Sequence, residues 1–578
     1  MHTKVKHAPV PAAGQGIRLS LSDPAISAVG QSSKLRLDDP KLRAPSVLEA
    51  LNDTERGIER FGHVIALGLI LVFGVWAWFA SRELRLWFDE LLGIAVAKAP
   101  TSRQIFSFLK AGVDSNPPLS HFLTRGSMSL LGDSDFAARA PAFVGFVTML
   151  VCLYLYTSRW LTRSYGILAL LAVMCSPVRD YAWNARPYGL VLGFCGLALL
   201  FHRQAAKAQG RILALAGFSL CTAGLVASHY YAILAVGPFL LAEAARAWES
   251  KKPDWALLAA SVGPPVIVLA ALRPLWGSQR LALAHYWGRG NLLSFNAGYV
   301  FLAMDPLIYV MALLLITVVL GLSYWNGRLA GEIAVPPHIT TPEVYLGAGF
   351  LSLPIVGAFL TQFVTHAYSA RYFLPAVLGF ALCLCYAARM FSSIVPGLTV
   401  LLTLAMGLGF GRELMRVVSH PAEQLSEGAA LGAENLPIVF DNAGDYMQVQ
   451  HYFPGLRERL WVIADPAASL KYRNYDTDDK EMLALASQGG AQTITLGAAA
   501  ERWGQFSLIP RTRDDVWALQ CALESGARVQ VQHAFRSSWP NPGESNFVFD
   551  VTVNPESLVR ILACSPATSG SLGDRAVK

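Results

Sequence analysis

Charge is what this chain has little of. Asp, Glu, Lys and Arg make up 15% of its 578 residues, against about a quarter in soluble domains. That scarcity excludes a string of soluble domains, although length alone would allow about three or four. The net charge of +7 is modest and spread along the chain, which excludes a nucleic-acid surface. Cysteine is sparse as well, and none of the eight stands in a CxxC or a Cys/His zinc spacing. Cys152, Cys175, Cys195, Cys221, Cys383 and Cys385 lie inside apolar runs and read as small hydrophobes. Cys521 and Cys564 fall in the polar C-terminal part and are free to pair if it faces an oxidising compartment. The first 60 residues are not expected to be a cleavable leader, because the first apolar run starts late and no small-residue cleavage site follows it. Residues 1–61 read as a disordered cytoplasmic tail, within which "SVLE" at Ser46 is a capping box that predicts a short helix through Arg60.

What is present is apolar sequence, 53% of the chain, gathered into long runs. A spanning helix needs about 20 mostly apolar residues. The runs predict spans over 62–80, 136–157, 165–178, 187–201, 212–227, 230–245, 255–275, 299–322, 344–362, 372–389 and 394–410. The fold class expected is therefore an α-helical polytopic membrane protein with about eleven crossings. Between the first two spans lies an amphipathic connection, 81–135, and its Leu119–Leu131 run reads as a helix lying at the interface. Lys and Arg orient the bundle. With the N-terminus inside, Arg159, Arg163, Arg203, Lys207, Arg211, Arg246, Lys251, Lys252, Arg328 and Arg389 fall at inner ends, and the alternate short loops carry fewer.

An odd number of spans puts the remainder outside. The expected division is the tail 1–61, a membrane catalytic part 62–411 and an extracytoplasmic α/β domain 412–578. In that last part "LPIVF", "RLWVIAD", "ARVQVQ" and "NFVFDVTV" read as strands, with helices over 479–487 and 514–525.

Under this topology the unusual polar residues gather at one face. Asp89 and Glu90 stand among Trp, Phe and Leu in "RLWFDELLGIAVA", directly after the first span. "RDYAWNARPYGL" and "SHYY" form outer hairpins, the following long loop carries Arg280, His285 and Tyr286, and "THAYSARYFLP" forms the last. Carboxylates, arginines, histidines and tyrosines at a membrane boundary suit a substrate with an anionic head and a lipid tail, since Arg grips phosphate oxygens by a bidentate fork. Each element also has a plainer reading. Asp89 would serve as a helix cap, Arg186 as a snorkelling residue, and His229 with its tyrosines as an aromatic belt.

The ordered set "FDE", "NPPLSHFLTRGSMSLLGDSDFAARAPAFVGF", "YAWNARPYGL", "SHYYAILAVGPFLLAE" and "SARYFLPA" resembles the GT-C superfamily of integral-membrane glycosyltransferases, in its protein-mannosyltransferase-like branch, over about 62–410. That branch includes enzymes glycosylating lipid A, lipopolysaccharide core or proteins. The resemblance implies a polyprenyl-phosphate sugar donor, an acceptor lipid, glycan or protein, and inversion at the anomeric carbon. It implies Asp89 as general base with Glu90 as its partner. It also implies donor-phosphate ligands among Arg139, Arg186, Tyr188, His229 and Arg371, with Arg139 favoured because it matches the arginine that begins the family's second span. Asn116, Tyr230, Arg280, His285 and Tyr372 are expected to line the substrate cavity. The chain departs from the family at Asn116, where a His or Lys is usual before Pro-Pro-Leu, and at Asn184, where Glu is usual. No metal or other cofactor is expected. A transporter or flippase of a lipid-linked substrate, and an inactive relative, are the competing readings.

Overall fold

The computed structural model describes residues 47–564 apart from 208, 279, 281–284, 326–339, 393–394, 396, 420–430, 432–434, 512–515 and 537–544. Residues 1–46 of the expected tail, and Ser46 of its capping box, lie outside the described residues. Residues 47–61 carry the helix expected through Arg60, and it is continuous with the first span in one 37-residue helix, α1 (Val47–Glu83). Docking explains the order: the Glu59 carboxylate accepts hydrogen bonds from the Arg163 and Ser164 amides at 3.1 and 2.7 Å. These are free N–H groups at the start of α6, where a carboxylate is favoured.

The connection after α1 folds as three short helices, α2 (Phe88–Ala97), α3 (Ser102–Ala111) and α4 (Pro118–Leu131). Next come α5 (Asp135–Trp160), α6 (Arg163–Met174), a 3-10 turn (Pro177–Trp183), α7 (Tyr188–Ala205) and α8 (Arg211–Ser228). A second 3-10 turn (Tyr230–Val236) leads into α9 (Gly237–Ser250), followed by α10 (Trp255–Ala271), α11 (Phe295–Val300) and α12 (Pro306–Trp325). The bundle ends with α13 (Thr341–Leu351), α14 (Leu353–Leu360), a third 3-10 turn (Ala370–Phe373), α15 (Ala376–Phe391) and α16 (Leu398–Ser419).

Among the described residues four helices are long and apolar enough to cross a membrane, or up to six if each bent pair counts as one span. The bent pairs are Pro177–Trp183 with α7, at 109°, and α13 with the stretch through Thr365, at 52°. α6, α10, α12 and α15 are shorter apolar helices. The expected spans 230–245 and 299–322 are each divided, the first by its 3-10 turn and the second between α11 and α12. α10 runs through Pro264 and Pro265 without a break.

α5 and α7 cross on glycine. A Cβ on Gly145 would strike the Gly189 carbonyl, and one on Gly193 would lie 2.7 Å from the Gly145 carbonyl oxygen. Small residues let the two backbones touch, as in small-xxx-small helix pairs. That contact fixes the start of α7, and with it Arg186 and Tyr188.

After α16 the chain forms a six-stranded sheet, in order β3-β2-β1-β4-β6-β5. β1 (Ile438–Phe440), β2 (Leu460–Ile463), β3 (Thr493–Ile494) and β4 (Gln505–Ile509) are mutually parallel, while β6 (Ser545–Thr552) is antiparallel to β4 and to β5 (Arg528–Arg536). The helices of this region are α17 (Ala443–Tyr452), α18 (Pro466–Arg473), α19 (Thr477–Ser487), α20 (Leu496–Trp503), α21 (Trp517–Glu524) and α22 (Pro555–Cys564). Cys521 and Cys564 are disulfide-bonded and join α21 to α22, whereas the six cysteines of the apolar runs are free.

One face of the sheet shares a core with the first connection: Leu86, Leu91, Ile105 and Leu109 pack with Ile438, Phe440, Tyr446 and Met482. Polar bonds reinforce the seam. The Leu86 amide donates to the Tyr452 hydroxyl at 2.8 Å, and that hydroxyl donates to the Asp135 carboxylate at 2.6 Å.

Candidate active site

α2 begins at Phe88 directly after extended Trp87, so Asp89 and Glu90 occupy its first turn, where acids are favoured. A helix turns about 100° per residue, and the two carboxylates point into different surroundings. Glu90 is 1% exposed and receives the Arg139 Nε and Nη2 at 2.9 Å each, one on either oxygen. Its oxygens also accept from the Trp87 and Ala185 amides. Arg139 spends its remaining donors on the carbonyls of Ser81, Leu84 and Arg85.

This closed unit corrects two expectations. Glu90 has no open face for proton transfer, and Arg139, 2% exposed, has no free donor for a phosphate. Its work is to tie the ends of α1, α2 and α5 to the turn before α7.

Asp89 is different. Its carboxylate keeps 17% exposure and meets the Arg371 Nη1 at 2.7 Å, with the Arg186 Nη2 at 4.0 Å. The Arg371 guanidinium lies between the rings of Trp87 and Trp287, 5.1 and 5.8 Å from their centroids, a cation–π setting that holds charge without hydrogen bonds.

Arg186 donates to the Asp89 carbonyl at 2.7 Å and to the Asp114 carboxylate at 2.9 Å. Asp114 is the residue that reading by sequence missed. It precedes Asn116, whose amide and side chain donate to it at 3.0 and 2.6 Å in an Asx turn, and the His121 Nε2 lies 3.7 Å away. Burial opposes its ionisation, but Arg186, His121 and Asn116 outweigh that and hold it below the usual carboxylate range. Burial, only partly offset by Asp114, lowers His121. The signal was present in "VDSNPPL", as an acid that turns back onto the Asn before Pro-Pro. Asn116 thus orients Asp114, and its own side chain is spent there.

Around these charges stands an aromatic wall. The His229 ring lies 5.3 Å from Tyr188 and 4.9 Å from Tyr372, and Tyr372 stacks on Tyr231 at 4.6 Å. The Tyr372 hydroxyl is 2.6 Å from that of Tyr286. Burial, then Arg186 and Arg371, push His229 down to about 3. It is therefore neutral at physiological pH and offers hydrogen bonds, not charge. Among the described residues the buried Tyr230 hydroxyl has no hydrogen-bond partner.

Two expected cavity residues stand elsewhere. Arg280 is exposed, with no hydrogen bond or ion pair among the described residues. His285 sits at the rim, its Nδ1 3.5 Å from Asp476 and its carbonyl accepting from Thr477 at 3.3 Å. Among the described residues no three His, Cys, Asp or Glu side chains come together as a metal set. Beyond Tyr231 an apolar hollow of about 290 Å³ opens, lined among others by Leu234, Leu241, Val262, Pro265, Gly349 and Val356.

Residues 115–272 match the family model described as dolichyl-phosphate-mannose-protein mannosyltransferase. No curated protein matches the chain. Among solved structures the chain is similar to ArnT from Cupriavidus metallidurans bound to undecaprenyl phosphate, with TM-score 0.50, 11% identity, 85% of this chain and 98% of that one covered. The same protein in its apo state gives 0.49 at 10% identity, over 84% and 97%. At that identity the likeness speaks for the fold. The chain has the fold of this protein over most of its length, and residues 115–272 are similar to the mannosyltransferase family, as its motifs led one to expect.

Proposed function

We propose that the chain is a membrane glycosyltransferase that moves a sugar from a polyprenyl-phosphate donor to an acceptor lipid, glycan or protein at the outer face of the cytoplasmic membrane. The observation that carries this reading is the Asp89–Arg371 pair, a partly open carboxylate 2.7 Å from a guanidinium. A donor phosphate competes for Arg371, and the displaced Asp89 carboxylate becomes a free base beside it. Asp89 then takes the proton of the acceptor hydroxyl as its oxygen attacks the anomeric carbon. The anomeric C–O bond breaks with inversion, and its electron pair leaves with the phosphate, which passes from diester to monoester. Arg371 and Arg186 meet the added negative charge, with the His229 and Tyr188 side chains as neutral donors.

The solved neighbour is bound to undecaprenyl phosphate, and the apolar hollow lined by Leu234, Val262 and Val356 suits part of an isoprenoid chain in kind. In this reading the chain makes about eleven crossings. The parts then divide as 1–61, 62–411 and 412–578, with the last as an α/β domain outside. The Cys521–Cys564 pairing supports that sidedness, since disulfides persist in oxidising compartments.

The test is transfer by the purified protein from a panel of polyprenyl-phosphate sugars to membrane extracts, compared with Asp89→Asn. Equal rates remove Asp89 from the mechanism. Labelling of Leu293→Cys from outside only, and of Ser250→Cys from inside only, checks the orientation. One observation favours a transporter, namely the 109° break before α7, because broken helices mark transport sites. That reading requires movement of a lipid-linked sugar across proteoliposomes without any transfer.

A further inference from the structure

Helix α19 belongs to the C-terminal sheet region, yet one of its faces looks onto the charge cluster. Thr477, at its start, donates to the His285 carbonyl at 3.3 Å. Gln488, just past its end, accepts from the Ser107 hydroxyl of α3 at 3.3 Å. Residues four and seven apart share a helix face, so Glu481, four after Thr477 and seven before Gln488, points the same way. Its ionisation is opposed by burial and then by Asp478, Asp89 and Asp114, with Arg186 acting in its favour. Each of those neighbouring acids has its own arginine: Asp89 with Arg371 at 2.7 Å, Asp114 with Arg186 at 2.9 Å, and Asp478 with Arg511 at 2.9 Å. Among the described residues no hydrogen bond or ion pair engages Glu481, which keeps partial exposure.

A half-buried carboxyl among other acids, whose nearest cation is already paired with Asp114, is costly to keep ionised. It is relieved by any ligand that brings hydrogen-bond donors. A sugar edge does so, because adjacent hydroxyls, or an ammonium group, match the two oxygens of one carboxylate. We propose that Glu481 is a substrate-contacting residue that accepts hydrogen bonds from a hydroxyl or ammonium substituent of the sugar handled at Asp89, so that the C-terminal sheet region takes part in choosing that sugar. The inference rests on the transferase reading above and deepens it.

The experiment uses the full-length protein, native, Glu481→Gln and Glu481→Ala, with two donors: a polyprenyl phosphate bearing a neutral hexose and one bearing an amino sugar. In Glu481→Ala the donor KM for the preferred sugar should rise about tenfold, the worth of one hydrogen bond to a charged group, with a smaller change in kcat and a flattened preference between the sugars. Glu481→Gln should keep the native KM for a hydroxyl ligand, because its amide oxygen still accepts, and lose it for an ammonium ligand. Native KM and native preference in Glu481→Ala would overturn the inference and leave the transferase reading standing. No transfer by the native protein from any donor would overturn that reading and this inference with it. The melting temperature of Glu481→Gln should equal or exceed the native value, since no partner is lost. A fall would mark the residue as structural and also overturn the proposal.

Discussion

Asp89 and Glu90 are neighbours in the chain with opposite surroundings: Glu90 is closed on Arg139 at 1% exposure, while Asp89 keeps 17% and meets Arg371. A single residue step of α2, about 100°, separates a structural acid from the candidate base. Everything proposed for the chemistry depends on that division, and it is open to direct test.

Removing one partner of a buried ion pair strands the other, at a cost of about 3–5 kcal/mol. Glu90→Gln and Arg139→Leu are therefore expected to lower the melting temperature in detergent sharply, and the double variant Glu90→Leu/Arg139→Leu should recover part of the loss. Asp89→Asn should melt like the native protein and lose about 10²- to 10⁴-fold in transfer rate. A stable, fully active Glu90→Gln would refute the division.

Arg371 is the guanidinium within reach of an incoming phosphate, and its planar fork lies between Trp87 and Trp287. A lysine keeps the charge but neither stacks as well nor binds two oxygens. Arg371→Lys should raise the donor KM by about tenfold or more, as one charged hydrogen bond is lost. Steady-state kinetics with varied donor decide the point.

Asp445, at the start of α17, has its carboxyl pushed up to about 7 by burial, which Arg511 and Asn442 only partly offset. The folded protein thus holds a proton there that the unfolded chain releases near 3.8. Between those values native binds more protons than unfolded, so this group's contribution to stability falls as pH rises from about 4 to 7. Asp445→Asn should raise the melting temperature at pH 8 and leave it unchanged at pH 3.5, as thermal unfolding in two buffers will register.

The Cys521–Cys564 bond closes a loop with a sequence separation of 43. Loop-closure entropy for that length is worth about 4 kcal/mol. Reduction, or Cys521→Ala/Cys564→Ala, should destabilise the sheet region while leaving the membrane helices intact, seen as a separate early transition in limited proteolysis.

The sequence by itself determined the class of the protein and its chemical vocabulary. Apolar runs are local, and so is alternation in a strand: "LPIVF", "RLWVIAD", "ARVQVQ" and "NFVFDVTV" all contain observed strands. The strand β3 was not legible because two residues carry no periodicity, and β4 was missed as well. The motifs named Asp89, Arg186, Tyr188, His229, Arg371 and Tyr372, each at or just beyond the end of an apolar run, and the fold places these side chains near one another.

Only the tertiary structure decided which of those side chains are free. Arg139 and Arg371 look alike as interfacial arginines, but one meets a carboxylate and three carbonyls in a sealed corner, and the other lies open between two tryptophans. Asp114 became visible through a turn that folds it back on Asn116, and Glu481 through a helix face more than three hundred residues beyond Asp89. Pairing energies depend on distance and burial, and neither is a property of the linear chain until packing has set them both.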